Sequence, residues 1–517
     1  MFFRLLPILL LSLTLIAQET KDAGPIPEPK EFKTQGKLKT ENATIAYTAI
    51  AGETYLKNAK EEPTASIYSI AYLQDDVADK AMRPVTFVFN GGPGSSAVWL
   101  HLGLLGPHRV VVPSDGSDVG APPYRWEPNS LSLLEVSDLV FIDPVGTGYS
   151  RPLGKSEGKD FWGLDEDAVS VAEFIRSFIT KHERWNSPKY IAGESYGTIR
   201  AAMLVGELQR TFTGIALNGI MLIAPAIDMQ TLMFSDGPDL PYALYLPTFA
   251  ATAWYHDRLP QKPADMISFL DEVARFAAGD YTVALFKGDS LEPAEKERIV
   301  ARLHQYTGLS ETYWRRANLR VNSTRFMKEV LRDKGLTVGR LDSRYLEDDP
   351  DDVGEYPSND PASTGVSSAF VSILHDYQAR ILKVDIQREY EVLNLNANGA
   401  WKRPPSHQSL FSGYINTMPL LTRGAAENKD LRFFVASGYF DLTTTYFSTE
   451  YMFNHSNIDK NRITMKHYPS GHMMYLHVPS FRQLAGDLKE FVRQGGIANE
   501  KNQTASVGSG TPSKQPK

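Results

Sequence analysis

Apolar runs closed by turn residues recur along the first half of the chain. Val85 to Phe89, Leu139 to Ile142, Tyr190 to Ala192 and Ile220 to Ile223 end at Asn90-Gly91-Gly92, Asp143-Pro144, Gly193-Glu194 and Ala224-Pro225. Runs apolar on both faces predict strands buried on both sides, the signature of a mostly parallel sheet covered by helices. Between the second and third runs, Val171, Phe174, Ile175, Phe178 and Ile179 recur at helical spacing, which predicts one of those helices. Earlier β-rich stretches lie at Thr44 to Ala51 and Ser66 to Tyr72, and the strand pattern resumes at Arg432 to Ala436 and Arg462 to Tyr468. A final helix is expected from about Ser480 to Gln494.

The middle of the chain reads differently. From about Asp228 to Ser406 the pattern is helical segments, Tyr255 to Leu259 and Tyr313 to Lys334 among them, and polar loops without strand alternation. It predicts a mainly helical cap over 229–405, inserted into a catalytic domain formed by 38–228 and 406–496. The acidic stretch Glu347 to Asp352 lacks the spacing and glycine of a calcium loop. At the N-terminus, Arg4 followed by Leu5 to Ile16 and Ala17 has the form of a secretory signal over 1–17, too short for a comfortable membrane span. A linker rich in Pro, Lys and Glu is expected over 18–37, and the Gly/Ser/Thr/Lys/Gln-rich end, 497–517, reads as a disordered tail.

Composition narrows the function classes. With 42% apolar and 22% charged residues in 517, the chain is ordinary globular protein able to bury a large core. There is no cysteine, so neither a disulfide nor a thiolate metal site exists, and an exported product has to rely on packing. A net charge of −7, without a basic block interleaved with aromatics, argues against nucleic acid as a partner.

The chemistry centres on Gly193-Glu194-Ser195-Tyr196-Gly197, a G-x-S-x-G pattern between a predicted strand and the helix-like Ile199 to Gln209. There it reads as a nucleophile elbow, with Ser195 at the carboxyl edge of the sheet in an α/β-hydrolase fold. Such a serine needs an acid and a base later in the chain, in that order. Asp441 follows the strand ending at Ala436, and His472 follows the last strand within Ser470-Gly471-His472. Asp228 is the second choice for the acid; His467 lies inside a strand pattern, and His455 and His477 lack the placement after a strand. The oxyanion hole is expected from Asn90-Gly91-Gly92-Pro93-Gly94-Ser95-Ser96, which lacks the Lys-Ser/Thr ending of a nucleotide loop. No metal and no cofactor is called for.

With Asn90-Gly91-Gly92-Pro93-Gly94, Asp143-Pro144-Val145-Gly146-Thr147-Gly148-Tyr149-Ser150, Gly193-Glu194-Ser195-Tyr196-Gly197, the Asp441 turn and Gly471-His472 in place, the chain resembles the serine carboxypeptidases of peptidase family S10. The resemblance implies a triad of Ser195, Asp441 and His472, and an oxyanion hole from the amides of Gly92 and Tyr196. It also implies that Asn90, Gly91 and Glu194 bind the free C-terminal carboxylate of a peptide substrate, with an esterase or acyltransferase on the same triad as the alternative. The chain departs from the family pattern at Ser95, where a cysteine is usual, and at Val88 and Leu104, where a Trp and a Glu assist carboxylate binding. The missing cysteines and the signal suit a bacterial branch and a periplasmic or secreted enzyme. Tyr242, Tyr245, Trp254 and Tyr255 are candidates for side-chain pockets, though cap packing is the better reading. Arg340, Asp342 and Arg344 are expected to form a local ion-pair cluster.

Overall fold

The computed structural model describes residues 26–210, 214–402 and 414–507; the signal expected over 1–17 lies outside them. Nine strands form the body of a ten-stranded sheet: β1 (Glu31–Lys39), β2 (Thr44–Lys57), β3 (Pro63–Gln74), β4 (Val85–Phe89), β5 (Asp138–Asp143), β6 (Lys189–Glu194), β7 (Gly219–Ile223), β8 (Arg432–Gly438) and β9 (Ile463–Tyr468). Their spatial order is β1-β2-β3-β5-β4-β6-β7-β8-β9, and a short stub, Arg151–Pro152, pairs with β3. β1, β2, β3 and β5 run antiparallel to one another in turn, whereas every pairing from β5 to β9 is parallel.

The continuous apolar runs behave as their pattern predicts, because the parallel strands are covered on both faces. One face packs Val171, Phe174 and Ile175 of the helix Leu164–Lys181, and Val205 and Leu208 of the helix Tyr196–Leu208, against Phe87, Val140 and Leu222. The other face packs Leu484, Leu488 and Phe491 of the C-terminal helix against Tyr190, Met221 and Phe434. This is the α/β-hydrolase architecture. Among the described residues no helix is long and apolar enough to cross a membrane.

Three expected boundaries change. The linker over 18–37 contains β1: the alternation Phe32-Lys33-Thr34-Gln35-Gly36-Lys37-Leu38 has period two, and the lysines that give it a linker's composition are the outward side chains of an edge strand. The C-terminal helix runs Val478–Val507, past the expected tail start at 497, because Gly495-Gly496 does not interrupt it. The insertion between β7 and β8 contains a two-stranded hairpin, Leu336–Val338 with Leu346–Asp348, where strands were not expected. Its helical segments also differ in detail. One helix, Leu240–Tyr255, ends where the Tyr255 to Leu259 segment was expected, and Tyr313 to Lys334 breaks into Glu311–Arg316, Ser323–Glu329 and a 3-10 turn at Arg332–Lys334.

The insertion is a cap only in its first part, where Phe249, Tyr281, Trp314 and Phe326 share a core with Tyr196, Ile199 and Met203 below. Its later helix, Pro361–Arg380, places Phe370 and Tyr377 in the main core beside Tyr72 and Leu134. The insertion is therefore built into the body of the molecule.

Candidate active site

β6 delivers Ser195 into the turn before the helix Tyr196–Leu208, where its backbone takes φ 60° and ψ −128°. That conformation costs a non-glycine residue about 1–3 kcal/mol and persists only where surrounding structure imposes it. The imposition is visible: Ser195 N donates to Ile223 O at 3.0 Å, and Ser195 O accepts from Thr198 N at 2.8 Å and Thr198 Oγ1 at 2.6 Å. A Cβ at position 193 would stand 2.3 Å from Gly197 O, and one at position 91 would stand 2.5 Å from Tyr196 N. Only glycine allows the strand to fold back this tightly, and only glycine lets the β4 loop reach the amide after the serine. Gly92, next in that loop, has φ 101°. The β4 loop thus packs against the amide that follows Ser195, with Gly91 at the contact.

Asp441 and His472 also converge. His472 Nδ1 and Asp441 Oδ2 are 2.7 Å apart, and Asp441 is fully buried. The carboxylate accepts Thr443 N at 2.7 Å, Thr444 N at 3.0 Å and Thr444 Oγ1 at 2.7 Å. Burial disfavours a charged His472, yet the adjacent Asp441 outweighs it and the imidazole pKa is raised above its ordinary value. Ser195 is half-buried, and its Oγ forms no hydrogen bond among the described residues. Such contacts are often loose before substrate binds.

The rival residues have other partners. Asp228 starts a 3-10 turn, accepting Gln230 N at 3.0 Å and Asn416 Nδ2 at 3.1 Å. His467 is on β9 and meets Glu450 at 3.0 Å, His455 meets Tyr451 O, and His477 meets Ser480 Oγ.

Glu194, the residue before Ser195, is buried, with Tyr475 Oη donating to its Oε2 at 2.9 Å and the Asn90 side chain as a second hydrogen-bond partner. Asn90 Oδ1 accepts Leu100 N at 3.0 Å, which turns its amide nitrogen towards the glutamate. Burial pushes Glu194 up to about 7, against the lowering influence of His472 and Tyr475. Val88 and Leu104, the departures from the family pattern, are buried in the core.

Several supports were not legible in the sequence. Arg200, almost fully buried, donates to Asp167 Oδ2 and to Asn90 O, each at 2.7 Å. Asp143, pushed up to about 7 by burial, accepts Ala97 N at 2.9 Å and Tyr390 Oη at 2.7 Å beneath the β4 loop. Tyr475 and Thr444 each stand three residues after a predicted site residue, a local signal that could have found them. Of the aromatic candidates, Tyr245 donates to Thr443 O at 3.1 Å and Tyr255 packs on Phe440, both against the acid loop, whereas Trp254 donates to Pro263 O and Tyr242 packs on Phe234.

Of the expected ion-pair cluster only the Arg344–Asp342 pair forms, and Arg340 turns instead to Asp360, 3.9 Å away. Arg344 Nη2 meets Asp342 Oδ2 at 2.6 Å, both buried, and the pair binds the histidine loop: Gly471 N donates to Asp342 Oδ2 at 3.0 Å and Arg344 Nη2 to Ser470 Oγ at 3.1 Å. Removing one member of a buried pair leaves an unpaired charge. Asp342→Ala is expected to lower unfolding free energy by about 3–5 kcal/mol; a urea-melt loss below about 1 kcal/mol would show that the pair does not brace this loop.

The sequence profile of the serine carboxypeptidase family, peptidase family S10, matches residues 52–327. The chain is 28% identical over 194 residues to a carboxypeptidase Y homolog of Arthroderma benhamiae, covering 37% of this chain and 36% of that protein. It is 32% identical over 165 residues to the pheromone-processing carboxypeptidase KEX1 of Yarrowia lipolytica, covering 31% of this chain and 24% of that protein. These matches span well under half the length of the curated relatives. The crystal structure of the prohormone-processing carboxypeptidase Kex1Δp from Saccharomyces cerevisiae shares the fold, with a TM-score of 0.50 and 16% identity, covering 89% of this chain and 91% of that one.

Proposed function

The chain belongs to the serine carboxypeptidase family, and from that premise we propose that it is an exported serine carboxypeptidase, releasing C-terminal residues from peptides through an acyl-enzyme. Ser195 Oγ attacks the scissile carbonyl while His472 takes its proton and passes it to the leaving amine. Asp441 holds the imidazole in the productive tautomer, and the amides of Gly92 and Tyr196 receive the negative charge on the carbonyl oxygen. Water then repeats the sequence on the acyl-enzyme. The signal-like pattern of residues 1–17 supports export.

The observation that carries the exopeptidase reading is Glu194, buried beside the nucleophile, in contact with Asn90 and Tyr475, and titrating at about 7. A carboxyl group that keeps its proton donates a hydrogen bond to the substrate's terminal carboxylate; once ionised, it repels that carboxylate. The sign follows. Glu194 is protonated below about pH 7, so kcat/KM on free peptide acids falls as pH rises through that value.

C-terminally amidated peptides and esters lack the charge and are expected to lack this fall. Glu194→Gln keeps a donor that cannot ionise, and it is expected to carry peptide-acid activity to higher pH. Glu194→Ala is expected to raise KM for peptide acids about tenfold to a hundredfold, the worth of one charge-assisted hydrogen bond. Equal cleavage of free and amidated C-termini across pH, with Glu194→Ala affecting both alike, would remove the exopeptidase reading and leave the esterase or acyltransferase one. The core positions of Val88 and Leu104 favour that second reading to one extent: neither side chain adds a polar contact for the carboxylate.

A further inference from the structure

The insertion sends the segment Arg340 to Arg344 between the loops that carry the acid and the base. Leu442 N donates to Arg340 O at 3.0 Å, Ser343 N to Phe440 O at 2.9 Å and His472 N to Leu341 O at 2.6 Å. From the other side, Arg340 N donates to Asp360 Oδ1 at 2.8 Å. The backbone of Arg340 is thereby fixed one residue from the carbonyl that holds His472, and its side chain departs from a rigid mount at the active-site edge.

That side chain is unlike the other guanidiniums nearby. Arg200 and Arg344 are buried in close ion pairs with Asp167 and Asp342, whereas the side chain of Arg340 is 46% exposed. Its guanidinium donates through Nη1 to Thr443 Oγ1 at 3.1 Å, two residues beyond Asp441. Its ion-pair partner, Asp360, stands 3.9 Å from Nη2, and that carboxylate already accepts the amides of Arg340 and Ala362 and the hydroxyl of Ser363. Among the described residues the remaining donors of Arg340 meet no other acceptor, and they suit a carboxylate arriving from solvent in fork geometry. Its field reaches the imidazole of His472.

The carboxylate it meets is not the terminal one. Asn90 follows β4 and Glu194 ends β6, while Arg340 is clamped between the loops after β8 and β9, three strands from β4 and two from β6 in the sheet, or about 14 and about 10 Å at ordinary strand spacing. We propose that Arg340 forms a subsite for an acidic side chain, Asp or Glu, on a residue flanking the scissile bond, so that the enzyme favours acidic peptides. This rests on the serine carboxypeptidase reading for the location of the scissile bond.

The test measures kcat/KM on N-blocked dipeptide acids with Glu, Gln or Lys before the scissile bond and Ala after it, and on the reversed set, in wild type, Arg340→Gln and Arg340→Glu. Wild type is expected to favour Glu over Gln about tenfold at one of the two positions. Arg340→Gln should bring that ratio near one, and Arg340→Glu should turn the preference towards Lys. The two sets say which side of the bond carries the acid. A Glu-to-Gln ratio that is the same in all three enzymes at both positions overturns the proposal.

Calorimetric binding of N-blocked glutamate and glutamine to Ser195→Ala, with and without Arg340→Gln, reads the same ratio without turnover. A subsite predicts tighter glutamate binding that Arg340→Gln abolishes, and equal binding of the two ligands overturns it. Labelling of Ser195 by a fluorophosphonate tests the hydrolase reading separately, so that a failure of one is not mistaken for a failure of the other.

Discussion

Ser195→Ala is expected to abolish peptide turnover, lowering kcat by on the order of 10⁶-fold, the scale seen when a triad nucleophile is removed from a serine protease. The loss is chemical, because without Oγ no acyl-enzyme forms and what remains is the effect of the oxyanion donors and substrate positioning. Folding should be almost untouched: the hydroxyl forms no hydrogen bond among the described residues, and the turn is held by backbone contacts to Ile223 and Thr198. His472→Ala is expected to match it in severity, since the two residues act as one unit. Steady-state assay of purified variants, with thermal melts beside them, checks both halves. Undiminished hydrolysis by a contaminant-free Ser195→Ala enzyme would remove the serine from the mechanism.

Asp441→Asn is expected to lower kcat by on the order of 10⁴-fold, less than loss of the serine or histidine. The amide fills the same space and still bonds to Nδ1, but its NH2 faces the ring nitrogen that must carry a proton, so the base is held in the wrong tautomer. Three donors converge on this carboxylate, from Thr443 N, Thr444 N and Thr444 Oγ1, so each of its oxygens accepts a hydrogen bond. The neutral amide loses that match, and some loss of stability should accompany the loss of rate. Asp228→Asn supplies the contrast. Its carboxylate caps a turn and meets Asn416, so the change should leave kcat within about twofold, as for a substitution remote from the reacting atoms. A crippled Asp228→Asn enzyme beside an active Asp441→Asn enzyme would reverse the assignment of the acid.

The two buried carboxyl groups near the serine show how little a motif says of its own energetics. Glu194 and Asp143 both stand in recognisable sequence blocks, and both are pushed up to about 7 by burial. Glu194 meets Tyr475 and Asn90, while Asp143 holds the β4 loop through Ala97 N and is capped by Tyr390 from the insertion. Burial raises both, and their different partners follow from the fold, which residue type and spacing do not encode.

Chain-local physics determined a good deal of this protein. Strands apolar on both faces, helices at 3.6-residue spacing and glycines flanking a serine are each dictated within a few residues, so β4 to β9, the helix Leu164–Lys181 and the elbow could be read before any contact was known. The order Ser195, Asp441, His472 was readable for the same reason, each residue following a strand that announced itself. Where composition overrode period, the reading failed. The lysines of β1 looked like a linker because an edge strand is half solvent, and the polar composition of the C-terminal end hid the continuation of the last helix beyond Gln494.

Tertiary structure alone decided which distant segments serve the site. The clamp of Arg340 to Arg344 on the loops of Asp441 and His472, the Tyr475 contact with Glu194 and the Arg200–Asp167 pair behind Asn90 join residues tens to hundreds of positions apart. Each depends on hydrogen bonds between groups whose meeting is fixed by how an insertion packs on a sheet. Those bonds carry no periodicity for a sequence to display, and the burial that shifts Glu194 is the sum of neighbours from many elements at once.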